Sequence, residues 1–233
     1  MTYWIMFYGE TTTTIMTNFK KILVFFAFLL MTIIISGCST KSVYKNDFDF
    51  VYNIESKMEG KKSLIGTCFY SDGRFYTNAH LILYKELGEY VVAESIVATD
   101  EINNIIYKLE VVIYDLTNDT AILKSTENIG LGLKLNINYE TTIGEEIYTI
   151  GNLNNYGLAY GYGRITSYSK AITNLENIIN YVQTNIEISN GNSGGPVFNS
   201  KNEVIGIMSL KLVDNNQYVD GVSFFVLMKD YGI

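Results

Sequence analysis

Scarcity is the first thing to read here: 233 residues contain one proline, one histidine and two cysteines. Two cysteines cannot build a disulfide framework, and the single imidazole, His80, is the one place where histidine chemistry can reside. No His/Cys/Asp cluster has metal-ligand spacing, so neither a metal nor another cofactor is expected. Basic residues number 17 against 24 acidic ones, a formal charge of -7 with no basic patch, and nucleic acid is therefore not an expected partner. No apolar run reaches the roughly 20 residues of a comfortable membrane span. A sustained helical period, an internal repeat and a low-complexity tract are also missing. What is plentiful is glycine (19), tyrosine (19) and phenylalanine (12), in a chain that is 48% hydrophobic and 18% charged. That mixture fills the core of one domain, or two small ones, and suits short strands with tight turns. The bulk reading is all-β.

Near the N-terminus, Lys20 and Lys21 precede the apolar run Ile22 to Ile35, followed by Ser36-Gly37-Cys38. This is the layout of a secretory signal with small residues at its cut site. Ile35-Ser36-Gly37-Cys38 also resembles the bacterial lipobox, which implies a lipid on Cys38 and an exported protein held on the outer face of a bacterial membrane. The other reading of the segment is an uncleaved anchor helix running back through Phe19. Met16 makes a more ordinary signal start than Met1. Residues 1–37 are thus expected to be a signal segment, 38–57 a polar tether and 58–233 the folded domain.

Within that domain, β-rich runs recur between turn signals: Leu64 to Tyr70, Arg74 to Thr77, Tyr90 to Ile96, Ile105 to Tyr114, Ala121 to Leu123, Glu146 to Ile150, Tyr160 to Tyr168, Tyr181 to Ile188, Val204 to Leu210 and Val222 to Leu227. Ser71-Asp72-Gly73, Asn154-Asn155 and Asp214-Asn215-Asn216 are the turn chemistry between them. Strands at such spacing predict a barrel or a sandwich.

Gly191-Asn192-Ser193-Gly194-Gly195-Pro196 sets a serine between glycines, where the backbone can bend tightly and leave room for a carbonyl beside peptide N–H groups. The letters also satisfy the G-x-S-x-G elbow of α/β-hydrolases, whose histidine follows the serine. Here the histidine comes first. The order His80, Asp119, Ser193 is that of chymotrypsin-like enzymes. Gly66-Thr67-Cys68-Phe69-Tyr70 with Gly73-Arg74-Phe75-Tyr76-Thr77-Asn78-Ala79-His80 resembles the glycine-rich strand and T-N-A-H block of bacterial trypsin-like proteases of the HtrA/Deg type. Asp119-Thr120-Ala121-Ile122-Leu123-Lys124 is similar to their D-x-A-[IVL]-L-K segment. Ile150-Gly151-Asn152, Thr184 to Pro196, Gly206-Ile207 and Gly221 to Val226 resemble the remaining blocks.

The resemblance implies two six-stranded antiparallel β-barrels, one spanning about 60–130 and the other about 138–228, with an active site between them. It implies a serine endopeptidase acting on proteins or peptides, with His80 as base, Asp119 as acid, Ser193 as nucleophile, and the N–H groups of Gly191 and Ser193 as oxyanion donors. Asp115, four residues earlier, is the competing acid, and Asn118 cannot substitute for a carboxylate. Asn192 stands where digestive zymogens carry an activation-linked aspartate, so activity without propeptide cleavage is expected. Glu187 and Ser209 are candidate substrate-binding residues. Asn185, Glu187 and Ser189 share a strand face opposite Ile186 and Ile188, and the Glu187 carboxylate raises the expectation of Lys or Arg before the scissile bond, against the alternative of a solvent-facing glutamate. Cys68 reads as a small buried hydrophobe. HtrA-type chains typically continue into a PDZ module, and with the sequence stopping at Ile233 none is expected here. The alternative function is a surface-binding or adhesion lipoprotein that keeps the fold.

Overall fold

A computed structural model describes residues 48–174, 177–214 and 217–231. The expected signal segment, the alternative start at Met16 and Cys38, the expected lipidation site, all lie outside the described residues. The described residues form strands linked by turns and three 3-10 turns.

The first half comprises β1 (Val51–Lys57), β2 (Leu64–Ser71), β3 (Arg74–Thr77), β4 (Leu83–Glu86), β5 (Glu89–Val92), β6 (Ser95–Asp100), β7 (Ile105–Lys108), β8 (Glu110–Asp115) and β9 (Thr120–Lys124). Seven of these form one antiparallel sheet in the order β7-β6-β1-β2-β3-β9-β8, while β4 and β5 make a separate hairpin. The first expected barrel is present as a curled half-barrel sheet, with seven strands in place of six and its edges not paired to each other, in keeping with the expected double-barrel plan. Its two edge strands are consecutive in the chain. Leu109, buried between them, gives its N–H to Ile96, so the edges meet at a covalent corner and not along a hydrogen-bonded ladder.

The tether boundary is corrected. β1 lies within the stretch expected to be a tether, yet it sits between β6 and β2 at the middle of the sheet. Polar Asn53, Glu55 and Ser56 disguise it, but Val51, Tyr52 and Ile54 are buried.

The second half closes completely. β10 (Glu146–Asn152), β11 (Leu158–Asn174), β12 (Asn177–Thr184), β13 (Pro196–Phe198), β14 (Val204–Asp214) and β15 (Gln217–Leu227) form a barrel in the order β10-β11-β12-β15-β14-β13. β10 pairs with β13 to seal it. Closure removes the unpaired edges that an open sheet exposes.

Three apolar clusters follow from this plan. One fills the first sheet around Phe75 and Leu123, and one fills the barrel around Ile147, Ile165 and Phe225. The third joins the halves: Phe69 and Tyr76 of the first sheet pack with Ile150, Phe198 and Val226 of the second. Phe69 and Tyr76 stack at 5.3 Å between ring centroids, inside the range where aromatic pairs add to area burial. Cys68 is fully buried, and burial raises its thiol pKa, which suits the small-hydrophobe reading.

Candidate active site

His80 is delivered by the 3-10 turn Ala79–Leu81, which follows β3 directly. Ala79 and Leu81 are buried, anchoring the turn and leaving the imidazole between them turned outward, its side chain 42% exposed. Asp119 stands in the tight turn before β9, in the left-handed backbone region at φ 53, and is buried. A side-chain amide pins that turn: Asn78 Nδ2 donates to the Asp119 carbonyl at 3.0 Å.

Both carboxylate oxygens of Asp119 are committed. Oδ1 accepts the His80 backbone N–H at 3.0 Å, and Oδ2 lies 2.8 Å from His80 Nδ1. Oδ2 also accepts the Ser209 hydroxyl at 2.9 Å. The competitor Asp115 accepts from the Thr117 N–H and Asn118 Nδ2, so its carboxylate serves its own turn. Packing around His80 pulls its pKa down, but the charge and hydrogen bond of Asp119 outweigh this, and the net direction is upward from 6.5.

Ser193 comes from the second half. Its hydroxyl donates to the Ser209 carbonyl at 2.7 Å, and among the described residues no hydrogen bond joins it to His80. The loop around it is held by its neighbours. Thr67 is the centre of that hold: its N–H donates to the Ser193 carbonyl at 2.8 Å, its hydroxyl donates to the Gly191 carbonyl at 2.7 Å, and that hydroxyl accepts the Asn152 N–H at 2.9 Å.

Peptide planarity then fixes two N–H directions, because the C=O and N–H of a trans peptide point opposite ways. The Asn190 carbonyl accepts the Asn154 N–H at 2.8 Å, so the Gly191 N–H points the opposite way from that bond. The Asn192 carbonyl accepts the Gly195 N–H at 3.0 Å, which turns the Ser193 N–H likewise. Gly191 adopts φ 98, and a Cβ there would lie 2.2 Å from the Asn152 carbonyl oxygen. Only glycine fits that bend.

These groups border a crevice of about 850 Å³ that includes His80, Asp119, Gly191, Ser193 and Ser209. Of the residues marked out in the sequence, His80, Asp119, Ser193, Gly191 and Ser209 are brought together. Ser209 donates its hydroxyl to Asp119 and presents its carbonyl beside Ser193.

Glu187 is corrected. It lies outside the crevice lining, its side chain is 67% exposed, and Oε2 is 3.6 Å from Lys211 Nζ. An acid already facing a lysine is a poor receptor for a basic substrate side chain. The sequence marks no site role for Thr67, for Asn154 beyond its turn, or for Lys211. Thr67 stands inside a quoted block, but its bonds cross between residues far apart in the chain, and no local pattern announces that.

The family model described as a trypsin-like peptidase domain matches residues 65–207. The serine endoprotease DegS of Haemophilus influenzae is 28% identical over 190 residues, covering 81% of this chain and 51% of that protein. A probable periplasmic serine endoprotease, DegP-like, of Hahella chejuensis is 27% identical over 183 residues, covering 78% of this chain and 37% of its own length. The chain thus spans about half, or less, of these curated relatives. Among solved structures, the serine endoprotease from Yersinia pestis superposes with a TM-score of 0.61 at 26% identity, covering 78% of this chain and 60% of that one. The HtrA-type protease AlgW with a tripeptide gives a TM-score of 0.68 at 22% identity, covering 80% and 58%, a likeness of fold.

Proposed function

Because the chain belongs to the trypsin-like peptidase domain family, we propose that it is a serine endopeptidase whose nucleophile, base and acid are Ser193, His80 and Asp119. The observation that carries this reading is the 2.8 Å contact of His80 Nδ1 with Asp119 Oδ2 in the crevice that holds Ser193. With Nδ1–H donated to the carboxylate, Nε2 is the ring nitrogen left with a lone pair.

A substrate strand laid against Ser209 to Lys211 brings its own N–H to the Ser209 carbonyl. Ser193 then swings from that carbonyl to His80 Nε2, which takes the hydroxyl proton as Oγ attacks the scissile carbonyl. Negative charge develops on the carbonyl oxygen and meets the Gly191 and Ser193 N–H groups, each contributing about 3 kcal/mol in comparable sites. The imidazolium formed is stabilised by Asp119 and returns its proton to the leaving amine. Water then repeats the sequence on the acyl-enzyme.

The loop also supports activity without N-terminal trimming. Asn192 Oδ1 accepts the Ser189 N–H at 2.9 Å and the Ser189 hydroxyl at 3.2 Å, closing the loop on itself without a newly cut terminus.

The test is stoichiometric labelling of the purified protein by a fluorophosphonate, lost in Ser193→Ala. Its rate should also follow one ionisation. Neutral imidazole is the working base and its pKa is raised, so kcat/KM should fall as pH drops through a value above 6.5. An unlabelled serine, or a rate flat down to about pH 5, would favour the adhesion reading instead.

Export and lipid anchoring remain part of the proposal, supported by Lys20-Lys21, the apolar run after them, and Cys38. Metabolic labelling with a radiolabelled fatty acid should mark the wild-type protein and spare Cys38→Ala; equal labelling of both would discard the anchor.

A further inference from the structure

The proton that His80 returns must reach the leaving amine, so the leaving side of a substrate lies toward His80, Leu81 and the Lys62 to Ile65 segment. The acyl side lies toward the second half, between Ile188 to Asn190 and Ser209 to Lys211. The side chain before the scissile bond enters that part of the crevice.

One cation is already built into it. Lys211 lies on β14, lines the crevice, and has a side chain only 13% exposed. Its Nζ is 2.9 Å from Asp220 Oδ1 and 3.6 Å from Glu187 Oε2. The two carboxylates themselves are open to solvent, 87% and 67% exposed, so the lysine stem runs along the crevice and the ammonium is drawn to its rim.

The charges then decide selectivity. A substrate Lys or Arg entering here meets the Lys211 charge at close range, while Glu187 and Asp220 stand outside the crevice lining, open to solvent and already facing that ammonium. A neutral side chain meets the apolar stem of Lys211 and the flank of Ile188, and suffers neither penalty. Without the lysine, the same two carboxylates would face an empty space and attract a cation. Discrimination of this kind operates by repulsion as much as by attraction.

We propose that Lys211, held by Asp220 and Glu187, is the specificity-determining residue of the acyl side, excluding Lys and Arg before the scissile bond and admitting uncharged side chains. This inference rests on the endopeptidase reading.

A peptide library varied at the residue before the scissile bond, cleaved by wild type, Lys211→Ala, Lys211→Met and the triple variant Lys211→Ala/Glu187→Gln/Asp220→Asn, tests it. Wild type should cut after neutral residues, with Lys and Arg at least about ten-fold poorer. Lys211→Ala should raise the basic-to-neutral ratio about ten-fold or more, and the triple variant should bring it back down. Lys211→Met keeps the stem and removes only the charge, and should move the ratio the same way. An unchanged ratio in both single variants, or a wild type that itself prefers Lys or Arg, overturns the proposal. Fluorophosphonate labelling of every variant separates the two failures: a labelled, cutting protein with the wrong ratio sinks only the role of Lys211, whereas a wild type that neither labels nor cuts sinks both.

Discussion

Alanine at Ser193 or at His80 should lower kcat by about 10⁶-fold, with KM little changed, and the double substitution should cost no more than either alone. The reason is that hydroxyl and imidazole act as one device: an unactivated serine is nearly as inert as none. Asp119→Asn should fall short of that loss, at about 10⁴-fold. Each oxygen of Asp119 faces a donor, Oδ1 the His80 N–H and Oδ2 both His80 Nδ1 and the Ser209 hydroxyl. An amide must aim its NH₂ at one side or the other. With the backbone N–H satisfied, NH₂ faces Nδ1, which then turns acceptor and sends the ring proton to Nε2, where it blocks removal of the serine proton. Steady-state kinetics on a peptide substrate, with active sites counted by fluorophosphonate in wild type, reads all of these outcomes. Equal losses for Asp119→Asn and Asp115→Asn would mean that the acid has been wrongly assigned.

The second large effect is expected at Gly194. Its φ is 86, and a Cβ there would lie 1.9 Å from the Thr67 carbonyl oxygen and 2.3 Å from Thr77 Oγ1. Neither atom can retreat. The Thr67 carbonyl accepts the Thr77 hydroxyl at 2.7 Å within the buried sheet, and the Thr67 N–H holds the Ser193 carbonyl. Gly194→Ala should therefore lower unfolding stability by about 3 kcal/mol or more, combining overpacking with an unfavourable backbone region. Any protein that still folds should lose most of its activity, because the displaced Thr67 no longer positions the loop. Gly73→Ala is the control: it has φ 80, but a Cβ there meets nothing within 4 Å. It should cost only about 1 kcal/mol and leave kcat untouched. Urea unfolding and peptide kinetics on the two variants give the comparison, and similar losses in both would show that crowding at Gly194 is unimportant.

The contrast between these two glycines marks what the sequence could and could not disclose. Ser71-Asp72-Gly73 is recognisable as a turn from its letters, and β3 lies where the run Arg74 to Thr77 placed it. β1 escaped because its buried face is interrupted by Ser56 and its outward face carries Asn53 and Glu55, so local polarity masks a strand that two neighbours bury. The runs Tyr90 to Ile96 and Ile105 to Tyr114 each proved to be parts of two strands, since corners at Ala93-Glu94 and Leu109 carry no glycine or proline. His80, Asp119 and Ser193 stand in motifs whose order in the chain is informative. Lys211 does not. Its meaning depends on Asp220 across a hairpin and Glu187 from another segment, relations that exist only after the barrel has closed.

Thr67, finally, belongs to the first sheet yet holds the serine loop of the second half, while the imidazole and its carboxylate partner sit on the near side of that junction. Under the proposed assignment neither portion by itself holds all three groups, so a nascent or partly unravelled copy is expected to cut nothing, and activity to arise only once the two halves have closed on each other.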